Sequence, residues 1–456
     1  MASAAESAAE RSSSFPDLRD HLVAVKQQQP LSSNLRTFAN LLLCIVGSGV
    51  LGLPYCFRNT GWVMGIVSLI LSAFIVYNGM MLQIHSKRRL LRSRGNDLLI
   101  ASFGDLIYHA FGKSGRLIVD VLLIISTLAT GISYIIFISE SVASIASSVV
   151  QGTHLSFSLL RLPNMRHIDG PNSENLRLLS EKLIGLSWQS SSIYAWFILP
   201  VELALSAIPS ITLLAPFSAF GDTINFSALT ALMVSDVLEI KKTSHINTMK
   251  AIGNLMTVPS SFGVGVYAFQ SSGIMIPIES AMGEPLKLGR VMGVAFVLSG
   301  ILYSVFALLG YAAFGENTQQ VITLNLSNGI EAMVVKSAIS FSLIMAFPLA
   351  LNPMFELLER RFSGRRVSLP MRAVSVFIIC LIATTVKQFV DLLSLAGSSV
   401  SCLLGFILPA AIHIKTMKED MDNPPSALIY AADYLLILFG LVFGAFGTTM
   451  SVLEFF

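Results

Sequence analysis

Apolar residues run along this chain in eleven blocks of about twenty, parted by short polar segments. The pattern predicts helices near Thr37 to Phe57, Trp62 to Ile84, Leu117 to Val150, Trp188 to Ile208, Ile211 to Val237, Ile252 to Ile278, Val291 to Phe314, Val334 to Met354, Met371 to Val386, Leu392 to His413 and Ala427 to Leu453. A helix of about 20 apolar residues matches the ~30 Å hydrocarbon core of a bilayer, so the blocks read as membrane spans. The third is longer than one crossing and must tilt or run past the membrane. Between the second and third, Phe103 to Gly112 reads as a short interfacial helix. The first 35 residues, rich in Ser, Ala and Gln, have no apolar run of signal-peptide type and read as a disordered cytosolic tail. Residues 36–456 are then one transmembrane domain.

Two of the blocks are interrupted. Gly47-Ser48-Gly49-Val50-Leu51-Gly52-Leu53-Pro54 breaks the first, and the sixth is broken from Gly263-Val264-Gly265 through Ser271-Ser272-Gly273 to Pro277. Lipid cannot hydrogen-bond freed backbone groups, so such breaks survive at mid-membrane only beside protein or a watery cavity. A matched pair of breaks in two halves points to the binding site of a secondary transporter. Five spans separate the breaks, which inverts the second half (about 252–413) relative to the first (about 37–237) and leaves an extra helix at about 427–453. Exposed amides at a half-helix start suit a carboxylate, and freed carbonyls suit an ammonium. A zwitterion matches both. The competing reading is that Gly47, Gly49 and Gly52 only let helices pack closely.

Composition agrees with the membrane reading. Hydrophobic residues are 54% and charged residues 12% of the chain, with a mean hydropathy of +0.71, where soluble domains carry roughly 25% charge. A net charge of +3 excludes nucleic acid as the obvious partner. Lys87, Arg88, Arg89, Arg92 and Arg94, then Arg360, Arg361, Arg365, Arg366 and Arg372, then Lys415 and Lys418 fall on one side when the N-terminus is cytosolic, as the positive-inside rule requires. Lys241, Lys242 and Lys250 are the exception. Cys44, Cys56, Cys380 and Cys402 all lie in apolar segments and read as buried free thiols. Asn325-Leu326-Ser327 is a glycosylation sequon in a loop on the non-cytosolic side.

The residues also resemble the amino acid/auxin permease family over nearly the whole chain. That family has a first span with a Gly-rich break closing in Leu-Pro, here Val46 to Tyr55, and a sixth with an aromatic-rich break before Pro and Glu, here Tyr267 to Glu279. Leu214-Ala215-Pro216-Phe217-Ser218-Ala219-Phe220-Gly221-Asp222 resembles the fifth span of plant vacuolar-type members, and animal proton-coupled amino acid transporters look similar. Those relatives usually carry an acidic residue where this chain has Gln270, and Gly where it has Ser271. The resemblance implies an all-α LeuT-type fold, a five-plus-five inverted repeat with an eleventh helix, moving neutral amino acids with protons.

Candidate site residues follow from the breaks. Gly47, Ser48, Gly49 and Val50 on one side, with Tyr267, Phe269, Gln270 and Ser271 on the other, are expected to bind substrate. Tyr134, with Phe137, would add an apolar wall, and Ser340 and Ser342 further neutral hydrogen bonds. Ionisable groups in apolar segments cost about 2.5–3.5 kcal/mol each and mark function or relief by water. Asp222, on the helix flanking the coupling-ion position by resemblance, is the first candidate for the coupling proton, and Glu140 the second. Glu202 follows Pro200 without a clear role. Asp120, Asp236 and Glu279 lie near span ends, where headgroups or water would solvate them. The histidines make no metal constellation, and no converging nucleophile and base suggest an enzyme. The expectation is a transporter with an amino acid substrate and no cofactor beyond a coupling proton, sodium being the weaker choice. A vacuolar or lysosome-like membrane is favoured, with the plasma membrane as the alternative. An amino-acid-sensing receptor with little transport fits the same residues.

Overall fold

The computed structural model describes residues 32–94, 98, 100–159, 191–208, 211–243, 245–326, 329–363, 368–386, 388–419 and 426–455. Its helices are α1 (Asn34–Ile45), α2 (Leu53–Thr60), α3 (Trp62–Arg94), α4 (Phe103–Leu159), α5 (Ser191–Ser206), α6 (Ile211–Lys242), α7 (Val258–Phe269), α8 (Ser272–Ala281), α9 (Leu288–Phe314), α10 (Ile330–Leu358), α11 (Leu369–Thr385), α12 (Phe389–Ala396), α13 (Leu408–Glu419) and α14 (Ala427–Phe455). Among the described residues no strand forms, only a single backbone bridge between Ser32 and Met282. Among the described residues seven helical stretches are long and apolar enough to cross a membrane, and α1 with the segment Ser48–Thr60, bent by 45°, make an eighth. Helices α5 and α11 are shorter apolar helices.

Local sequence sets the ends. Ser33 caps α1 by accepting from the Arg36 amide at 3.3 Å. Pro54 and Pro259 sit in the first turns of α2 and α7, where a missing N–H costs nothing. Gly61 stops α2 at φ +84, a conformation that favours glycine. Gly112, at φ +73, kinks α4 and sets off its first turns, Phe103 to Phe111, from the long span. The stretch from Gly112 to Val149 is about 55 Å long at 1.5 Å per residue, well beyond one crossing.

Rows of large apolar side chains stay exposed: Val67, Ile70 and Phe74 on α3, Val294, Val297 and Ile301 on α9, and Leu435, Leu438 and Val442 on α14. In water such faces would drive association, whereas in lipid they are ordinary, so this is an integral membrane protein. The centre is built from α7, nearly all of it buried, packed on α12 and α3. Contact there is backbone to backbone. A Cβ on Gly397 would stand 1.8 Å from the Gly263 carbonyl oxygen, and one on Gly79 would stand 1.8 Å from that of Gly405.

The sixth block is interrupted over a shorter stretch than the sequence suggests. α7 runs unbroken through Gly263 and Gly265, the break is confined to Gln270-Ser271, and α8 continues through Gly273 and Pro277. The two glycines serve close packing: a Cβ on Gly265 would meet Ser72 Oγ at 2.6 Å. The first break is where the glycines put it, with Val46 and Gly47 non-helical and a 3-10 turn at Ser48–Gly52.

Both broken helices are tied together at each end. Trp62 and Val63 donate to the carbonyls of Lys250 and Ala251 at 3.1 Å, while Gly253 and Asn254 donate to those of Thr60 and Asn59 at 2.7 and 3.0 Å. At the opposite face Ser32 donates to the Ala281 carbonyl at 2.9 Å, Gly283 donates to Ser32 at 3.1 Å, and Asn34 donates to Glu284 at 3.0 Å. The expected tail therefore ends earlier than residue 35, and residues 1–31 lie outside the described residues.

Other expectations change. Glu279 is not solvated at a span end but buried, 3.0 Å from Lys87 Nζ and 2.7 Å from Arg88 Nε. Asp236 and Glu202 are fully buried, and neither carboxylate has a hydrogen-bond partner among the described residues. Asp120 lies 3.8 Å from Arg116. Cys44 is exposed, while the other three cysteines are buried. The exceptional lysines are offset locally, Lys242 by Glu239 at 3.6 Å and Lys250 by Glu316 at 2.9 Å. Asn325 is described, whereas Ser327 of the sequon lies outside the described residues.

Candidate functional site

Both breaks open on one cavity of about 100 Å³. The first contributes Gly47, Ser48 and Gly49, with Cys44 and Ile45 from the end of α1; the second contributes Gln270, with Tyr267 and Ala268 from the end of α7. α4 adds Ser126, Thr130 and Tyr134, which stand four residues apart and so share one face of that helix. Ser401 comes from the π-helical turn Gly397–Ser401 that follows α12. π turns shift the side chains beyond them and are frequent at functional sites. None of these lining residues is charged.

A run of hydroxyls connects the two breaks across α4. Ser48 Oγ shares a hydrogen bond with Ser133 Oγ at 3.1 Å, and Ser133 Oγ another with Tyr267 Oη at 3.3 Å. Tyr267 Oη also donates to Thr130 Oγ1 at 3.3 Å. At the end of α1, the Ile45 carbonyl freed by the break accepts from Tyr303 Oη at 2.7 Å. That carbonyl is therefore taken by protein, while the first amides of the 3-10 turn have no intrahelical partner.

Gly47, Ser48, Gly49, Tyr134, Tyr267 and Gln270 are brought together as the sequence suggests. Val50, Phe269 and Ser271 are outside the lining. Val50 is buried in the core, and Phe269 stacks on Phe296 and lies tilted against Tyr303, both of α9, at centroid distances of 5.5 and 5.2 Å. Ser271 Oγ turns to the Phe269 carbonyl at 3.4 Å and to Met80 Sδ at 3.7 Å. Phe137 packs on Phe389, Ser340 Oγ is buried without a partner among the described residues, and the Ser342 backbone abuts Gly221. The half-buried Asp222 on α6 lies within electrostatic reach of Cys44 and Tyr134, two residues of the cavity wall. Glu140 stands six residues beyond Tyr134 on α4, about 9 Å along the axis, and off the wall.

The residues the sequence reading passed over are Cys44, Ser126, Thr130, Ser133 and Ser401. Ser126, Thr130 and Tyr134 at i, i+4 and i+8 were a usable signal, as was the small polar run Gly397-Ser398-Ser399-Val400-Ser401.

Comparison with known proteins gives the same picture. The chain is 35% identical over 441 residues to Amino acid transporter AVT3C of Arabidopsis thaliana, covering 97% of this chain and 95% of that protein. It is 36% identical to Amino acid transporter AVT3A over 424 residues (93% and 90%) and 28% identical to Amino acid transporter ANT1 over 444 residues (92% and 92%), both from the same plant. The crystal structure of MhsT in complex with L-phenylalanine superposes with a TM-score of 0.56 at 11% identity, covering 93% of this chain and all of that one, and it shows the LeuT-type fold. The family model described as transmembrane amino acid transporter protein matches residues 31–453. This chain belongs to the transmembrane amino acid transporter family.

Proposed function

We propose that this protein moves neutral amino acids across a vacuolar or lysosome-like membrane, together with protons, by alternating access around its two broken helices. The observation that carries the reading is that both breaks line one uncharged cavity. A zwitterion needs partners for its two charges, here the amides of the Ser48–Gly52 turn for the carboxylate and the oxygens of Gln270 and the hydroxyl run for the ammonium. A charged substrate side chain would find no counter-charge on that wall, so the reading is restricted to neutral substrates. A volume of about 100 Å³, roughly that of three waters, suits a short side chain.

Proton coupling is assigned to Asp222, because a carboxylate within electrostatic reach of Cys44 and Tyr134 can sense the occupancy of the cavity. Glu140 is next in line, and sodium is the weaker choice because the cavity wall offers no carboxylate to offset it. The likeness to plant vacuolar-type members supports the choice of membrane. The test is uptake of radiolabelled amino acids into proteoliposomes under an imposed pH gradient, with and without sodium. Asp222→Asn, which mimics the protonated form, should abolish gradient-driven accumulation and leave amino acid exchange largely intact, since exchange needs only the loaded carrier to reorient. Glu140→Gln should do less. Accumulation by the Asp222→Asn protein would remove Asp222 from the mechanism, and binding without uptake by the unaltered protein would favour a receptor.

A further inference from the structure

The chain that joins α12 to α13 passes the second break in two π turns, Gly397–Ser401 and Leu403–Ile407. Packing on both sides holds their register. Gly397 meets the Gly263 carbonyl of α7, and Gly79 of α3 meets the Gly405 carbonyl, two contacts that leave no room for a Cβ. Gln83 Nε2 of α3 donates to the Leu404 carbonyl at 3.5 Å.

The first of these turns changes what a serine hydroxyl can do. Ser398 and Ser399 bond back to carbonyls four residues earlier in α12, Ser398 to that of Ser394 at 2.7 Å and Ser399 to that of Leu395. The corresponding acceptor for Ser401 is the Gly397 carbonyl. The Cys402 amide, five residues on, donates to that carbonyl in the widened turn. Ser401 is 1% exposed, and its Oγ has no hydrogen-bond partner among the described residues.

Ser401 borders the substrate cavity. A buried hydroxyl without a partner destabilises the empty site, and a substrate that brings the partner recovers that loss. Under the proposed function the two main-chain charges of a zwitterion are met by the breaks and the hydroxyl run. Ser401 stands on a further element of the wall and is left for the side chain, which must be short in a space of about 100 Å³.

We infer that Ser401 is a specificity-determining residue whose hydroxyl bonds a hydroxyl on the substrate side chain, so that the cavity selects serine over alanine. This rests on the cavity being the substrate site, as proposed above. A site that pairs with a substrate hydroxyl rejects the analogue lacking it, because its own polar group is then left unpaired.

The test is equilibrium binding of radiolabelled L-serine and L-alanine to the purified full chain, beside uptake of both into proteoliposomes. The unaltered protein should bind serine about 5- to 150-fold more tightly, the range expected when one buried polar group is left unpaired. Ser401→Ala should abolish that preference, and Ser401→Cys, which keeps the volume but offers a weak donor, should reduce it. The thermal midpoint of the substrate-free Ser401→Ala protein should not fall, since the hydroxyl has no partner to lose. Ser399→Ala removes a hydroxyl satisfied within its own helix and should keep the serine preference. No preference in the unaltered protein, an equal loss of both ligands in Ser401→Ala, or binding of neither would overturn the assignment. Serine preference in binding without uptake of either amino acid would support the subsite and count against transport, whereas uptake without preference would do the reverse.

Discussion

Gly47 and Gly49 are two residues apart in the first break, yet a methyl group should act differently at each. An ideal Cβ on Gly49 would stand 3.1 Å from both Cα and Cβ of Ala268 and 3.3 Å from Tyr267 Cδ1. Carbon atoms prefer about 3.5–4.0 Å, so Gly49→Ala must push the two breaks apart by roughly half an ångström. Overpacking of this kind costs about 1–3 kcal/mol. Borne by the state in which the breaks close on substrate, that strain lowers the maximum uptake rate by roughly 5- to 150-fold. On Gly47 the nearest atom is Tyr134 Oη at 3.9 Å, an ordinary contact. There the methyl fits without strain but takes up cavity space, roughly the share of one water in a space of about 100 Å³. Gly47→Ala should keep the maximum rate for glycine and raise the half-saturation for larger amino acids in rank of side-chain size. The assay is initial uptake of glycine, alanine and leucine into proteoliposomes, normalised to reconstituted protein. Unchanged kinetics in Gly49→Ala, or an equal loss for all three substrates in Gly47→Ala, would refute the placement of the cavity between the breaks.

Further predictions concern stability and processing. Phe269→Ala should lower the thermal midpoint, since loss of a buried Phe costs about 3–5 kcal/mol, and leave the half-saturation of the surviving protein unchanged; a normal midpoint with raised half-saturation would return Phe269 to the cavity wall. Glu279→Gln removes the counter-charge of Lys87 and Arg88, at a cost of about 3–5 kcal/mol for breaking a buried pair. Adding Lys87→Met should restore part of that midpoint, and a neutral single variant would sink the argument. Asn325 should carry no glycan in the folded protein, because its amide donates to the Asn317 carbonyl at 2.8 Å and accepts from the Gln319 amide at 2.8 Å. An endoglycosidase-sensitive mobility shift that Asn325→Gln abolishes would contradict this.

The first break was legible because Gly-Ser-Gly followed by Leu-Pro leaves a helix no ladder to continue, and Gly112 kinks α4 beside the segment expected to lie at the interface. The second break was overestimated because glycine carries two signals. Gly263 and Gly265 remain helical and exist for close approach, to Gly397 and to Ser72, which only the neighbouring helix reveals. Lone hydroxyls such as Ser133 are silent for another reason. Inside a helix each can bond its own backbone, as Ser133 does to the Thr130 carbonyl at 2.8 Å, so its presence costs little and does not announce which way it faces. The pairing of His413 with Asp433 joins two different helices and leaves no spacing to read. Asp222 was chosen by resemblance, and the electrostatic reach that links it to Cys44 and Tyr134 depends on how separate helices pack, which no spacing encodes.

The backbone ties at the two ends of the broken helices divide the centre of the molecule into two blocks. On one face the junction of α2 and α3 and the segment leading into α7 are joined by four main-chain bonds that leave no room for a side chain: a Cβ on Gly253 would stand 2.4 Å from the Asn59 oxygen, and one on Gly61 2.6 Å from that of Ala251. On the other face the residue before α1 is clasped to the end of α8. Under the alternating access proposed above, Val46-Gly47 and Gln270-Ser271 would be the seams between the blocks, where small changes in dihedral angle would tilt one block against the other without breaking either clasp. Opening at one face would then be a separate mechanical event from opening at the other, with its own small set of contacts to release. Two doors hung on a common pair of hinges can be locked by different latches.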